Sequence, residues 1–142
     1  MKGSRFSQPV WSLLGIAWIL VILAMTMLPL SNFKGHSHWD RVTWIPLRDA
    51  NFSVIFLAQL LGNILLFVPF GVCLVGASSG STRMVRRRVV IWAALLSAAV
   101  EFFQSYSHNR LPSMTDVCMN VLGAMLGSCL IAYQSGSTER DA

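Results

Sequence analysis

The sequence predicts an all-α fold, a bundle of four transmembrane helices with both termini cytoplasmic, and three observations carry that prediction. Hydrophobic residues make up 54% of the chain and charged residues only 12%, with a mean hydropathy of +0.58, which falls in the membrane class rather than the soluble or disordered ones. The apolar residues are gathered into four long runs. Basic residues cap those runs, and four of them (Arg83, Arg86, Arg87 and Arg88) fall together between the second run and the third. The net charge of +5 would suit a nucleic acid only if Lys and Arg lined a solvated groove or helix, so no nucleic-acid partner is expected. A length of 142 residues fits a single domain covering residues 1–142.

Span one covers residues 10–30, an uncharged run long enough at helical rise for about 30 Å of hydrocarbon. The basic head at Lys2 and Arg5 imitates a signal peptide. The run that follows is too long for a signal-peptide core and lacks a small-residue cleavage site, so an uncleaved first span is expected. Pro29 marks its end, because proline is tolerated at helix boundaries and disruptive inside. Residues 31–50 are polar and aromatic, with Trp39 and Trp44 suited to the headgroup zone, and read as a loop on the membrane surface. His36-x-His38-x-Asp40 has metal-like spacing but no further ligands or fixed scaffold, so a solvated loop is the expectation and neither a metal nor another cofactor is predicted.

Span two covers residues 52–77 and contains Gly62, Asn63 and a mid-helix Pro69. Gln59 and Asn63 are four apart and share a face. Pro69 leaves the Leu65 carbonyl without its helical donor, which fits either a kinked helix with an interhelical amide bond or a ligand contact. Residues 78–88 read as a turn-rich connection, placed on the cytoplasmic side by its four arginines. Spans three and four cover residues 89–107 and 117–133. The loops 31–51 and 108–116 then both face outward. Cys73, Cys118 and Cys129 lie in apolar segments without C-x-x-C spacing and are expected to be reduced packing residues.

The candidate site comes from polar residues that a hydrocarbon environment makes expensive. Glu101, Gln104, Ser105 and His108 fall on one helical stripe, as do Asp116, Asn120, Gly123 and Gly127. Gly123 and Gly127 allow a neighbouring backbone to approach closely. At helical rise Glu101 lies about 18 Å from the cytoplasmic edge, Asn120 about 6 Å below the outer edge and Asn63 about 15 Å deep, all in the outer half of a roughly 30 Å core. A polar pocket opening outward is expected. Glu101 and Asp116 are the candidate catalytic acid and base, with Asn63, Gln104, Arg110 and Asn120 binding substrate. The competing reading pairs both carboxylates with Arg110 and nearby amides as a lock on the hairpin. A Ser105–His108 nucleophile pair is disfavoured, since both sit on one helix with no evident oxyanion hole.

Taken together, the segment Gly62-Asn63-Ile64-Leu65-Leu66-Phe67-Val68-Pro69-Phe70-Gly71, the pair Glu101-x-x-Gln104, Arg110, and Asp116-x-x-x-Asn120-x-x-Gly123-x-x-x-Gly127 resemble the VanZ-like family of small bacterial membrane proteins. Trp44-Ile45-Pro46-Leu47 resembles the family's Asn-x-x-Pro-Phe approach to the second helix, with Thr43 and Leu47 in the Asn and Phe places. The resemblance implies a multi-pass protein of the bacterial cytoplasmic membrane, in a family named for a glycopeptide-resistance (teicoplanin) member. Kinship alone does not assign resistance to this chain. Two functions are compatible with it: binding of, or acid–base action on, a cell-envelope or lipid-linked substrate, and a non-enzymatic module that shields an envelope component or serves an envelope complex. Membrane lipids, a second copy of the chain or a membrane partner are the expected associates.

Overall fold

A computed structural model describes residues 7–33, 35, 37, 39–48, 52–107 and 111–138. Its described residues form four α-helices and no strands: α1 Gln8–Met27, α2 Val54–Ala77, α3 Thr82–Gln104 and α4 Met114–Thr138. Two 3₁₀ turns, Leu30–Asn32 and Trp39–Arg41, punctuate the long α1–α2 connection. Three of the helical segments, Gln8–Met27, Val54–Ala77 and Met114–Ile131, are long and apolar enough to cross a membrane. The fourth, α3, has comparable length but carries four arginines in its first two turns and Glu101 in its last.

The boundaries follow local chemistry. α1 begins with Pro9 in its first turn, where the missing N–H costs nothing, and stops before Pro29. α2 starts at Ser53, whose hydroxyl accepts the Phe56 N–H at 3.2 Å. The arginines predicted to lie in a turn belong instead to α3, because the turn signals end at Gly80 and Ser81 occupies the N-cap position. One Arg88 N–H donates back to the Ser79 carbonyl at 3.2 Å. α4 likewise begins earlier than expected, so that Asp116 stands in its first turn, where the helix dipole favours a carboxylate.

Packing is closest between α2 and α4. A Cβ added to Gly71 would fall on the Ala124 carbonyl, one added to Gly123 on that of Ile64, and one added to Gly127 on that of Val68. The register advances in the same direction on both helices, so α2 and α4 run parallel with backbone against backbone. α1 packs antiparallel to α2. The Trp11 ring covers Gly76, and the Trp18 indole N–H donates to the Leu66 carbonyl at 2.8 Å. That bond falls one residue after Leu65, whose carbonyl loses its helical donor to Pro69.

The core is small: Ile22, Phe67, Phe70, Val89, Ala93, Val100 and Ala124. Phe67 and Phe70 meet edge to face with centroids 5.9 Å apart. Leu13, Leu20, Ile55, Leu65 and many other large apolar side chains are exposed. Apolar surface of that extent calls for a non-aqueous surrounding or a partner.

Candidate functional site

One end of the bundle is capped. The end of α1, the start of α2, the end of α3 and the start of α4 meet there, and the two loops expected to share a side are stitched to each other. Phe33 bridges to Ser107 and Thr43 to Ser113. The Thr43 N–H donates to the Pro112 carbonyl at 3.0 Å, and the Thr43 carbonyl accepts the Met114 N–H at 3.0 Å. The Leu47 N–H donates to the Thr115 hydroxyl oxygen at 2.9 Å. Leu47 has φ of 60°, a left-handed conformation costly for leucine, and this bond is part of what holds it.

Beneath the cap, α3 and α4 are joined by a polar ladder. A Glu101 carboxylate oxygen accepts the Ser113 N–H at 2.8 Å, and Ser113 in turn caps α4: its hydroxyl accepts the Thr115 N–H and its carbonyl the Asp116 N–H. The carboxylate thus meets the positive end of a helix, a favourable place for an anion in a low-dielectric setting. One turn deeper, the Asn120 side-chain NH₂ donates to the Ser97 hydroxyl oxygen at 2.8 Å. The other amide atom, Asn120 Oδ1, is buried and without a donor. Asp116 lies between these rungs on the same face of α4 and is half-buried.

The predicted residues are therefore distributed as follows. Glu101, Asp116 and Asn120 share the α3–α4 seam. Gln104, also buried, turns the other way and donates from Nε2 to the Thr26 carbonyl at 3.2 Å, tying α3 to α1. Asn63 is half-buried on α2, next to Ile64 beneath Gly123, and is not a member of the ladder. Arg110 and His108 lie outside the described residues, as do His36 and His38 of the metal-like triplet. Among the described residues no cluster of His, Cys, Asp or Glu is placed to hold a metal ion. The Ser105 hydroxyl donates to the Phe102 carbonyl at 2.6 Å, one helical turn back, and α3 ends at Gln104.

The α4 stripe read from the sequence divides between two neighbours. Asn120 faces Ser97 of α3, whereas Gly123 and Gly127 face α2. Sequence reasoning passed over Ser97, Ser113, Thr115 and Thr26. Ser97 was detectable, four residues before Glu101 and on its face. Thr26 acts through its backbone carbonyl, which leaves no mark in a sequence, whereas Ser113, whose hydroxyl accepts the Thr115 N–H, is a readable N-cap residue.

A separate open groove of about 280 Å³ lies among α1, α2 and α3, lined by Ile19, Phe70, Trp92, Leu95 and Leu96. Its walls are apolar.

No curated protein and no solved structure matches the chain. The sequence profile of the VanZ/LLP1 family matches residues 12–134, most of its length and both the seam and the cap. The chain belongs to that family.

Proposed function

From that membership we propose that the chain is a multi-pass protein of the bacterial cytoplasmic membrane with four spans, both termini cytoplasmic and the capped end outward. We further propose that this end binds the polar part of a cell-envelope or lipid-linked molecule. The observation that carries the binding reading is Asn120. A buried acceptor without a donor costs about 1–3 kcal/mol, and a ligand hydroxyl or amide, or a water held with it, supplies what Ser97 does not. Asp116, half-buried one turn above on the same helix, is the carboxylate assigned to such a group in this reading. Glu101, committed to the α4 N-terminus, positions that helix.

In this reading Arg110 holds a phosphate bidentately, and Gln104 and Asn63 shape the flanks toward α1 and α2. Acid–base action by Glu101 and Asp116 is the second reading, and their positions on one seam favour it. The first is tested with detergent-purified protein and a panel of envelope lipids. Asp116→Asn, Asn120→Leu and Arg110→Lys are each expected to weaken binding at least tenfold. The melting temperature should stay close to that of the parent in Asp116→Asn and Arg110→Lys and fall in Asn120→Leu, which also removes the bond to Ser97. Lipid affinity unchanged in all three would end the binding reading. Turnover of a panel member by the parent, lost in Asp116→Asn with binding retained, would establish chemistry. A link to glycopeptide resistance is tested by expression in a susceptible host and comparison of teicoplanin growth inhibition.

Topology has its own test. The four spans and the positive-inside rule put reporter fusions after Ser81, Asn109 and Ser137 inside, outside and inside, and an outside signal at Ser81 overturns the orientation.

A further inference from the structure

The groove among α1, α2 and α3 is not explained by the capped end. The geometry points to a site for one anionic phospholipid, with its phosphate at Arg88 and an acyl chain in the groove. This rests on the membrane reading above but not on the ligand of the cap.

Three observations combine. First, the groove is apolar and open on its side, and Trp92 and Leu95, each 56% exposed, form one wall over the buried ring of Phe70. Its 280 Å³ holds about nine groups the size of a water molecule, and its five lining side chains, all apolar, suit methylenes rather than a polar ligand. Second, Arg88, Trp92, Leu95 and Leu96 fall at i, i+4, i+7 and i+8, so the cation and the groove wall occupy one stripe of α3. At helical rise Leu95 lies about 10 Å below Arg88, the spacing of a headgroup from the middle of its acyl chain. The bond from Arg88 to the Ser79 carbonyl ties its guanidinium over the α2–α3 turn, at the head of that stripe. Third, the local charge is of one sign. Arg83, Arg86, Arg87 and Arg88 stand together, and no Asp or Glu occurs between Asp49 and Glu101. Of the four arginines only Arg88 shares the groove's stripe; Arg83 projects from the opposite face of the helix.

A guanidinium clamps a phosphate through two parallel N–H bonds, while the groove excludes water from the chain below. A basic site between helices at the cytoplasmic side is the setting in which anionic headgroups bind selectively. Phosphatidylglycerol therefore binds here in preference to phosphatidylcholine, whose ammonium group meets a repelling field.

The experiment uses Trp92 as the probe. The full chain is reconstituted in phosphatidylcholine nanodiscs doped with either phosphatidylglycerol or phosphatidylcholine brominated in mid-chain. The Trp92 contribution is taken as the difference between the parent and Trp92→Phe. We expect brominated phosphatidylglycerol to quench that contribution at about fivefold lower content, the effect of one engaged arginine. Arg88→Gln should abolish the preference, Arg88→Lys should retain part of it, and Arg83→Gln should leave most of it. Equal quenching by the two lipids overturns the site and leaves the membrane reading standing. An equal loss in Arg83→Gln and Arg88→Gln also overturns it, since that is the behaviour of a diffuse charge field. No quenching by either lipid overturns the site and the membrane reading together.

Discussion

α4 meets its two principal neighbours by opposite means. Against α2 it presents Gly123, Ala124 and Gly127, and backbone touches backbone with no side chain between. Against α3 it presents Ser113 and Asn120, and the contact is made of hydrogen bonds to Glu101 and Ser97. The first seam has no room to give. The second depends on a few directional bonds and retains one unmatched acceptor. The difference separates a seam held by close backbone contact, which gains dispersion and offers no polar side chain, from one held by directional bonds whose Asn120 oxygen can still take a donor.

The sharpest way to break this contrast is to add one carbon on the glycine side. Gly127→Ala is expected to destabilise the bundle by about 3 kcal/mol, near the upper end of overpacking costs, because the added Cβ meets a main-chain carbonyl that cannot rotate away. Thermal melts in detergent measure it, and an unchanged melting temperature would mean that the two backbones are not in contact.

On the polar side the expected effects are smaller and graded by chemistry. Glu101→Ala leaves the Ser113 N–H without its acceptor and should cost about 2 kcal/mol, whereas Glu101→Gln keeps an acceptor and should cost about 1 kcal/mol. A Gln variant as damaged as the Ala variant would show that the charge, and not the cap on α4, is what the seam requires. Next in size, Thr115→Val removes the acceptor of the Leu47 N–H and is expected to cost about 1 kcal/mol. Hydrogen exchange should quicken at Leu47 before any change reaches α2 or α3. If exchange there is unaffected, the loop is held by other contacts.

Smallest, and opposite in sign, is Gly62→Ala. An added Cβ meets nothing within 4 Å, and alanine in place of a mid-helix glycine is worth about 0.5–1 kcal/mol of stability. A rise in melting temperature would mark Gly62 off from Gly71, Gly123 and Gly127, although all four occur in the segments that carry the family resemblance. A fall would show that the exposed face of Gly62 meets a partner.

How far the sequence could be read divides along the same line. Gly123-x-x-x-Gly127 announced a close approach because small residues at helical spacing have few other uses in a bundle. The helices themselves were legible from run length, and the end of α1 from Pro29. The boundaries differ where polar residues continue a helix beyond its apolar run: residues 78–88 read as one turn-rich connection, yet the arginines belong to α3. The expectation that Glu101, Asn63 and Asn120 line one pocket rests on their similar depth, and polar groups at similar depth need not share a cavity. Glu101, Gln104 and Asn120 instead bond to different elements, and two of the three partners are backbone groups, the Ser113 N–H and the Thr26 carbonyl, that no side-chain pattern reveals. Thr43 and Leu47, which depart from the family's loop pattern, nonetheless make the loop's bonds, because those bonds use their main-chain atoms.

The stitching of residues 43 and 47 to residues 112–115 also has a bearing on biosynthesis. The chain leaves the ribosome from its N-terminus, so the α1–α2 connection is made first and waits, with its Thr43 and Leu47 main-chain groups unmatched, until the start of α4 arrives. Closure of the cap is therefore a late event that reports delivery of both helical hairpins. A chain truncated after α3 should exchange the Thr43 and Leu47 amide hydrogens quickly, while the finished protein protects them.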